Sequence, residues 1–93
     1  MIASFKSYET MLLAKGRKVR RYRFTEEVAR RKPRYLEIAN TLQDLRIPPG
    51  NRLEQLKGNR KGQYSIRVND QFRICFRWTN RGAEDVEIVD YHS

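Results

Sequence analysis

The sequence predicts an α+β domain with its helices on one side of an antiparallel sheet. Three observations carry that prediction. Apolar residues recur at helical spacing in the first half, they alternate with polar residues in the second, and Gly/Pro-rich breaks divide the segments. A chain of 93 residues has room for one small domain, taken as residues 1–93.

The element order follows from local chemistry. "IASF" reads as a short opening strand. "SYETMLLAK" follows as a short helix, with Ser7 as N-cap and Gly16 as its stop. Tyr8, Met11, Leu12 and Lys15 share one face of it. "TEEVARRKPRYLEIANTLQDLR" reads as a long helix capped by Thr25, with Glu26 and Glu27 at the positive end of its dipole. Val28, Tyr35, Ile38, Leu42 and Leu45 form its apolar stripe. Pro33 conflicts with an unbroken helix: either the helix kinks there, or its stable part starts near Arg31. "IPPGN" ends it.

Four strands follow: "RLEQLKG", "QYSIRV", "QFRICFRW" and "EDVEIVDY". Phe72, Ile74, Phe76 and Trp78 face one way; Arg73, Cys75 and Arg77 face the other. A register slip of one would turn a whole set to the wrong side, so Tyr64, Ile66 and Val68 must share the face of Phe72, Ile74 and Phe76. This demands an odd loop, Asn69–Gln71, which sets Ile66 against Ile74 and Arg67 beside Arg73. The next hairpin must also bring Val86 and Ile88 into the core. A three-residue loop Asn80–Gly82, with Gly82 left-handed, satisfies this. Val89 then faces Arg73, and Tyr91 lies diagonally beside it. Asp90 leaves that face. Trp78 and the Phe residues read as packing rather than as a base-stacking platform.

Charge points to the partner. The chain carries 20 Lys/Arg against 11 Asp/Glu, a formal net charge of +9. Such an excess favours a polyanion, nucleic acid first. No basic amphipathic helix with a broad apolar face is evident, so no membrane partner is expected. The N-terminus lacks an apolar run long enough for a signal peptide or a span, and Cys75 is the only cysteine. The expected location is the cytoplasm. One Cys and one His also exclude a His/Cys zinc site within one chain, and no metal or cofactor is expected.

The candidate chemistry lies on the polar face of the sheet. Arg67, Arg73 and Arg77 repel one another unless an anion such as phosphate sits among them, or unless Asp90, Glu87 or Glu54 neutralise them. "KGNRKG" places Lys57, Arg60 and Lys61 in a Gly-bounded basic loop able to follow a phosphate backbone. His92, the only histidine, titrates near neutrality, where general acid–base catalysis works. Cys75 has no base beside it and is not read as a nucleophile.

"MIASF", "LEQLKGNRKGQYSIRVNDQFRICFRW" and "VEIVDYH" together resemble the HigB branch of the RelE-like toxins, the toxin halves of bacterial toxin–antitoxin modules. The resemblance covers nearly the whole chain and is strongest from Pro49 to His92. It implies a RelE-like microbial RNase fold, with a short N-terminal strand and two helices on one face of a curved sheet. It implies a ribosome-dependent endoribonuclease that cuts mRNA in the decoding (A) site of the small ribosomal subunit. It also implies a HigA-like helix-turn-helix antitoxin, with operator DNA bound through it. By position, Lys57, Arg73, Tyr91 and His92 match the family's catalytic group. Arg73 and Lys57 would stabilise charge on the scissile phosphate, while Tyr91 and His92 would handle protons or orient RNA. Glu54 departs, standing where many members have histidine; a carboxylate can still act as a base but repels phosphate. Arg67, Arg77, Arg60 and Lys61 would contact RNA phosphates. Lys15, Arg17, Lys18, Arg20, Arg21 and Arg23 would dock on ribosomal RNA. The competing reading is a non-catalytic RNA- or DNA-binding module using the same basic face.

Overall fold

The computed structural model describes residues 1–22 and 26–90. Helix α1 spans Tyr8–Ala14, α2 Glu26–Arg31 and α3 Pro33–Ile38; strands β1 to β4 span Glu54–Gln55, Tyr64–Arg67, Phe72–Thr79 and Gly82–Asp90. The strands form one antiparallel sheet in the order β1-β2-β3-β4. The helices and the apolar sheet face close over a core that includes Leu13, Tyr22, Leu36, Ile66, Ile74, Phe76 and Val86. The architecture is the expected α+β fold.

Helix α1 begins where Ser7 Oγ accepts from the Thr10 amide at 3.2 Å. It stops at Gly16, whose φ of 84° suits glycine. Its buried residues are Thr10 and Leu13, while Tyr8, on the face it was expected to share with Met11, Leu12 and Lys15, is 70% exposed. The Thr10 hydroxyl is the reason: it accepts from the Ile88 amide at 2.9 Å and docks α1 against β4.

The long helix kinks rather than starting late. Lys32 keeps helical angles and donates to Val28 O, but Pro33 has no amide to continue the ladder. The kink shifts the buried stripe to Ala29, Pro33 and Leu36, leaving Ile38 73% exposed instead of in the core. The helix also ends at Ile38, short of the predicted Arg46. Thr41 and Asp44 win locally. Thr41 Oγ1 accepts from Asp44 N, and the Asp44 carboxylate accepts from the amides of Asn40 and Thr41 at 2.9 and 3.0 Å. This capping box starts a separate 3-10 turn, Leu42–Arg46. The expected cap Thr25 lies outside the described residues.

The first hairpin has the expected register, with Ile66 opposite Ile74 and Arg67 opposite Arg73. Asn69 Oδ1 closes the Asn69–Gln71 loop by accepting from the amides of Gln71 and Phe72. The second hairpin reaches the expected register at its far end, Arg73 opposite Val89, by another route. Thr79 pairs with Gly82, so the loop is only Asn80–Arg81. The extra residue sits as a bulge instead, where Phe76 faces both Asp85 and Val86 and Asp85 takes φ 53°. Parity demanded one odd residue, and an aspartate tolerates the left-handed region well enough to absorb it inside the strand.

The opening strand is an extended arm. Ile2 and Phe5 form isolated parallel bridges to Ala83 and Val86 on β4. The arm passes so close that a Cβ on Gly82, which has φ 103°, would lie 2.2 Å from Met1 O. Beyond the arm, Thr10 and the Tyr22 hydroxyl take the free edge groups of Ile88. The outer edge of β4 is therefore covered rather than left to pair with other chains.

Thr41→Ala should destabilise the fold by about 1 kcal/mol in urea denaturation, the usual loss for a threonine cap. Asp44 supports the same turn through charge. The Thr41 and Asn40 amides hold its carboxyl below the ordinary aspartate range. Its contribution is therefore present above the unfolded-state pKa and is lost as pH falls through the folded one. Asp44→Ala should lower Tm at pH 7, and the gap to wild type should close in acid. A gap that is constant down to acid pH would assign the effect to packing.

Candidate functional site

The outer face of the sheet runs Ser65, Arg67, Arg73, Cys75, Arg77, Glu87 and Val89, because each alternates with a core residue across the observed registers. Glu54 joins it, since it pairs with Ser65. A cleft of about 560 Å³ opens at one end, lined by Gly50, Arg52, Glu54, Arg67, Asn69, Asp70 and Arg73.

Arg73 is the best-held side chain of the cleft. Its Nε donates to Ser65 Oγ at 2.7 Å, and one terminal nitrogen, Nη2, donates to Arg52 O at 2.6 Å and to Ser65 O at 3.4 Å. Glu54 stands 3.8 Å away, and the Arg73 side chain is only 11% exposed. Among the described residues Nη1 makes no hydrogen bond, so one edge of the fork remains for an anion.

The neighbouring arginines are neutralised locally, though mostly not by the expected acids. Arg67 pairs with Asp70, and Arg77 with Asp85 at 3.6 Å. Of the three candidates, Glu54 meets one of these arginines, Arg73. Glu87 instead takes Arg60 at 2.9 Å and Lys6 at 3.7 Å. Asp90 accepts from Gln71 Nε2 at 3.1 Å.

This changes the reading of "KGNRKG". Gly58–Arg60 forms a 3-10 turn rather than an open loop. Arg60 binds Gln63 at 3.1 Å as well as Glu87, which straps the turn to β4 across the outer face. Leu56, Ser65 and Cys75 on that face are buried. Burial pushes the Cys75 thiol up, which leaves it protonated and unreactive near neutral pH. Lys57 and Lys61 remain exposed around a second hollow with Gln55, Leu56 and Gly58.

Glu54, Arg67 and Arg73 thus share one cleft, while Lys57 and Lys61 share the hollow beyond β1. Arg60 and Arg77 are committed to Glu87 and Asp85. Tyr91, His92 and Arg23 lie outside the described residues. Lys15, Arg17, Lys18, Arg20 and Arg21 are exposed, and none of them lines the cleft. Val19 and Tyr22 pin that stretch to the core; the Tyr22 ring meets Phe72 edge-on at 5.4 Å.

Three site residues escaped the sequence reading: Arg52, which lines the cleft, and Ser65 and Asn51. Asn51 is fully buried. Its Oδ1 accepts from Lys32 Nζ at 2.8 Å and its Nδ2 donates to Leu45 O at 3.2 Å. Burial, then the charges of Arg67 and Arg31, lower the Lys32 pKa. "PPGN" signalled a turn, which was the available hint.

An antiparallel sheet covered by helices on one face, with a cleft on the other, agrees with a RelE-like fold. Residues 15–92 match the family described as the RelE-like toxin of type II toxin–antitoxin system HigB. The chain belongs to this HigB-like toxin family. It is similar to Toxin HigB-1 of Vibrio cholerae, 56% identical over 50 residues, which is 54% of this chain and 53% of the relative. It is also similar to an uncharacterized protein of Haemophilus influenzae, 36% identical over 67 residues, 72% of this chain and 65% of that one. The matched parts span between half and two thirds of these relatives.

Glu87→Ala should remove one partner from both Arg60 and Lys6. We expect a loss of about 2 kcal/mol in urea denaturation, typical of hydrogen bonds to charged groups, and faster tryptic cleavage within 57–61. Unchanged proteolysis would show that the strap is held by other contacts.

Proposed function

We propose that the chain is a ribosome-dependent endoribonuclease that cuts mRNA in the decoding site and so arrests translation. The observation that supports this most is Arg73, held by three hydrogen bonds from Nε and Nη2 with Nη1 left over, in a cleft inside a chain of the HigB-like family. RNA supplies its own nucleophile. The 2′-hydroxyl attacks the adjacent phosphorus, a 2′-O–P bond forms and the P–O5′ bond breaks. One proton leaves the 2′-oxygen and one reaches the 5′-oxygen, giving a 2′,3′-cyclic phosphate and a 5′-hydroxyl. The protein must align these atoms, stabilise the phosphorane charge and move two protons.

In this reading Arg73 binds the scissile phosphate through its remaining edge, with Lys57 contributing charge from the adjacent hollow. Glu54, on the rim of the cleft beside Arg73, is the carboxylate available as a base. Tyr91 and His92 follow directly on β4, whose end is opposite Phe72, the residue before Arg73. They supply the remaining proton transfer or orient the RNA. Arg67, Arg77, Arg60 and Lys61 contribute the field of the outer face. The basic stretch Lys15–Arg23 docks on ribosomal RNA, and a helix-turn-helix antitoxin neutralises the toxin. The separation of Lys57 from the Arg73 cleft favours the second reading, a basic RNA- or DNA-binding module without catalysis.

Primer extension on a translated message separates them. Arg73→Ala should cut cleavage by about 100- to 1,000-fold, the loss of one charge-stabilising donor, with ribosome binding little changed. Removal of His92 and Ser93 should also reduce cleavage greatly while the fold stays intact. Absence of any cleavage by the wild-type protein, with tight ribosome binding, would select the binding module. Full cleavage by the truncated chain would remove His92 from the mechanism.

A further inference from the structure

Arg52 occupies an unusual conformation for an arginine, with φ 46° and ψ 58°. Only one other non-glycine among the described residues, the bulge residue Asp85, has positive φ. A residue with a Cβ pays for this conformation, so the surroundings must hold it there. They do so through Asn51. Its Nδ2 donates to Leu45 O at 3.2 Å and Ile47 O at 3.4 Å, and its Oδ1 accepts from Lys32 Nζ at 2.8 Å. The turn before it is closed by Asn51 N to Pro48 O at 2.9 Å and Arg52 N to Pro49 O at 3.1 Å. Asn51 is completely buried, so this anchor ties the turn to the helical kink at Lys32 on one side and to residues 45–47 on the other.

With Asn51 immobile and β1 due to start at Glu54, the chain must reverse at one residue. The left-handed turn at Arg52 achieves this and aims its carbonyl at the Arg73 guanidinium, 2.6 Å away. Without that acceptor, Arg73 would be held by Ser65 and would be free to swing toward Glu54 at 3.8 Å. Nη2, the nitrogen that Glu54 already approaches, would then turn to the carboxylate and carry the guanidinium plane, Nη1 included, out of its present setting.

We propose that Arg52 is a positioning residue that acts through its main-chain carbonyl, held left-handed by the Lys32–Asn51 anchor, to fix the plane of Arg73 and keep one guanidinium edge open for phosphate. The catalytic consequence rests on the ribonuclease reading above; the positioning itself does not.

The test exploits backbone preference. Arg52→Gly and Arg52→Val both delete the guanidinium, but glycine accepts positive φ freely and a β-branched residue resists it. The first readout is the ¹⁵Nε–H resonance of Arg73, identified by its loss in Arg73→Lys, with its protection from solvent exchange. We expect it to keep its shift and protection in Arg52→Gly and to lose both in Arg52→Val. The second is single-turnover cleavage on translating ribosomes. The Val variant should be about 100-fold slower than the Gly variant at equal ribosome affinity, the scale of loss for a misplacement near 1 Å. Thermal unfolding checks that both fold; if Val does not, Arg52→Ala takes its place, with Arg52→Asn as the left-handed-tolerant partner. An Arg73 resonance that is the same in the tolerant and resistant variants overturns the proposal. A resonance that follows backbone preference, with no cleavage by any form including wild type, upholds the positioning and overturns the ribonuclease reading instead.

Discussion

The alternation of β3 is the constraint on which the rest of the molecule depends. Phe72, Ile74 and Phe76 are nearly or fully buried, so Arg73, Cys75 and Arg77 have no choice but the opposite face. Both neighbouring strands then inherit their registers from β3. β2 must present Ile66 to Ile74, and β4 must present Ile88 to the same residue. The hydrophobic effect, which has no interest in arginine, thereby decides where three guanidinium groups stand. At about 25 cal/mol per Å² of apolar surface, a slip of one residue would expose several large side chains at once and cost far more than any ion pair could return.

Alternation fixes a face, not a geometry. An arginine side chain loses rotamer freedom when it is held in one place, and a surface ion pair returns little against that. Arg73 escapes this limit because its partners are a buried hydroxyl and two main-chain carbonyls rather than a mobile acid. The neighbouring arginines show the contrast. Arg77 and Asp85 are each about half exposed and 3.6 Å apart, a contact that solvent and salt weaken. The same face therefore holds one rigid guanidinium and a set of looser ones, which is the division a site needs between a group that aligns a reacting atom and groups that only raise the local potential.

The legible part of the fold was the part governed by strict periodicity. Residues 64–68 and 72–78 place an apolar residue at every second position, and the first hairpin followed with its loop and register. The second hairpin was legible only as a parity. An odd residue had to appear between Thr79 and Val86, but a count cannot say whether it sits in the turn or in the strand, and Asp85 took the strand. Helical phase was less secure, because Pro33 displaces it by one residue and turns Ile38 outward. The break at Ala39 had a signal, Thr41 with Asp44 three residues on, but an apolar stripe continuing through Leu42 and Leu45 overrode it. Glu54, Arg67 and Arg73 were legible as one cluster. The support for that cluster was not. A backbone carbonyl such as Arg52 O has no letter of its own, and Asn51 looks like any turn asparagine until its burial is seen.

Glu54 shows how the same contacts bear on charge balance. Arg73 is nearly enclosed and would otherwise be a cation with much of its hydration removed, so a carboxylate at 3.8 Å offsets part of that loss. The distance is long for a hydrogen bond, and Glu54 is 53% exposed, so the acid is not locked to the arginine. A histidine in that position would be neutral for part of its titration range and would leave Arg73 uncompensated. A glutamate keeps the charge of Arg73 partly balanced at all pH values where it is ionised. The fixed carbonyls of Arg52 and Ser65 do not depend on that acid. They hold Arg73 in place whatever Glu54 does.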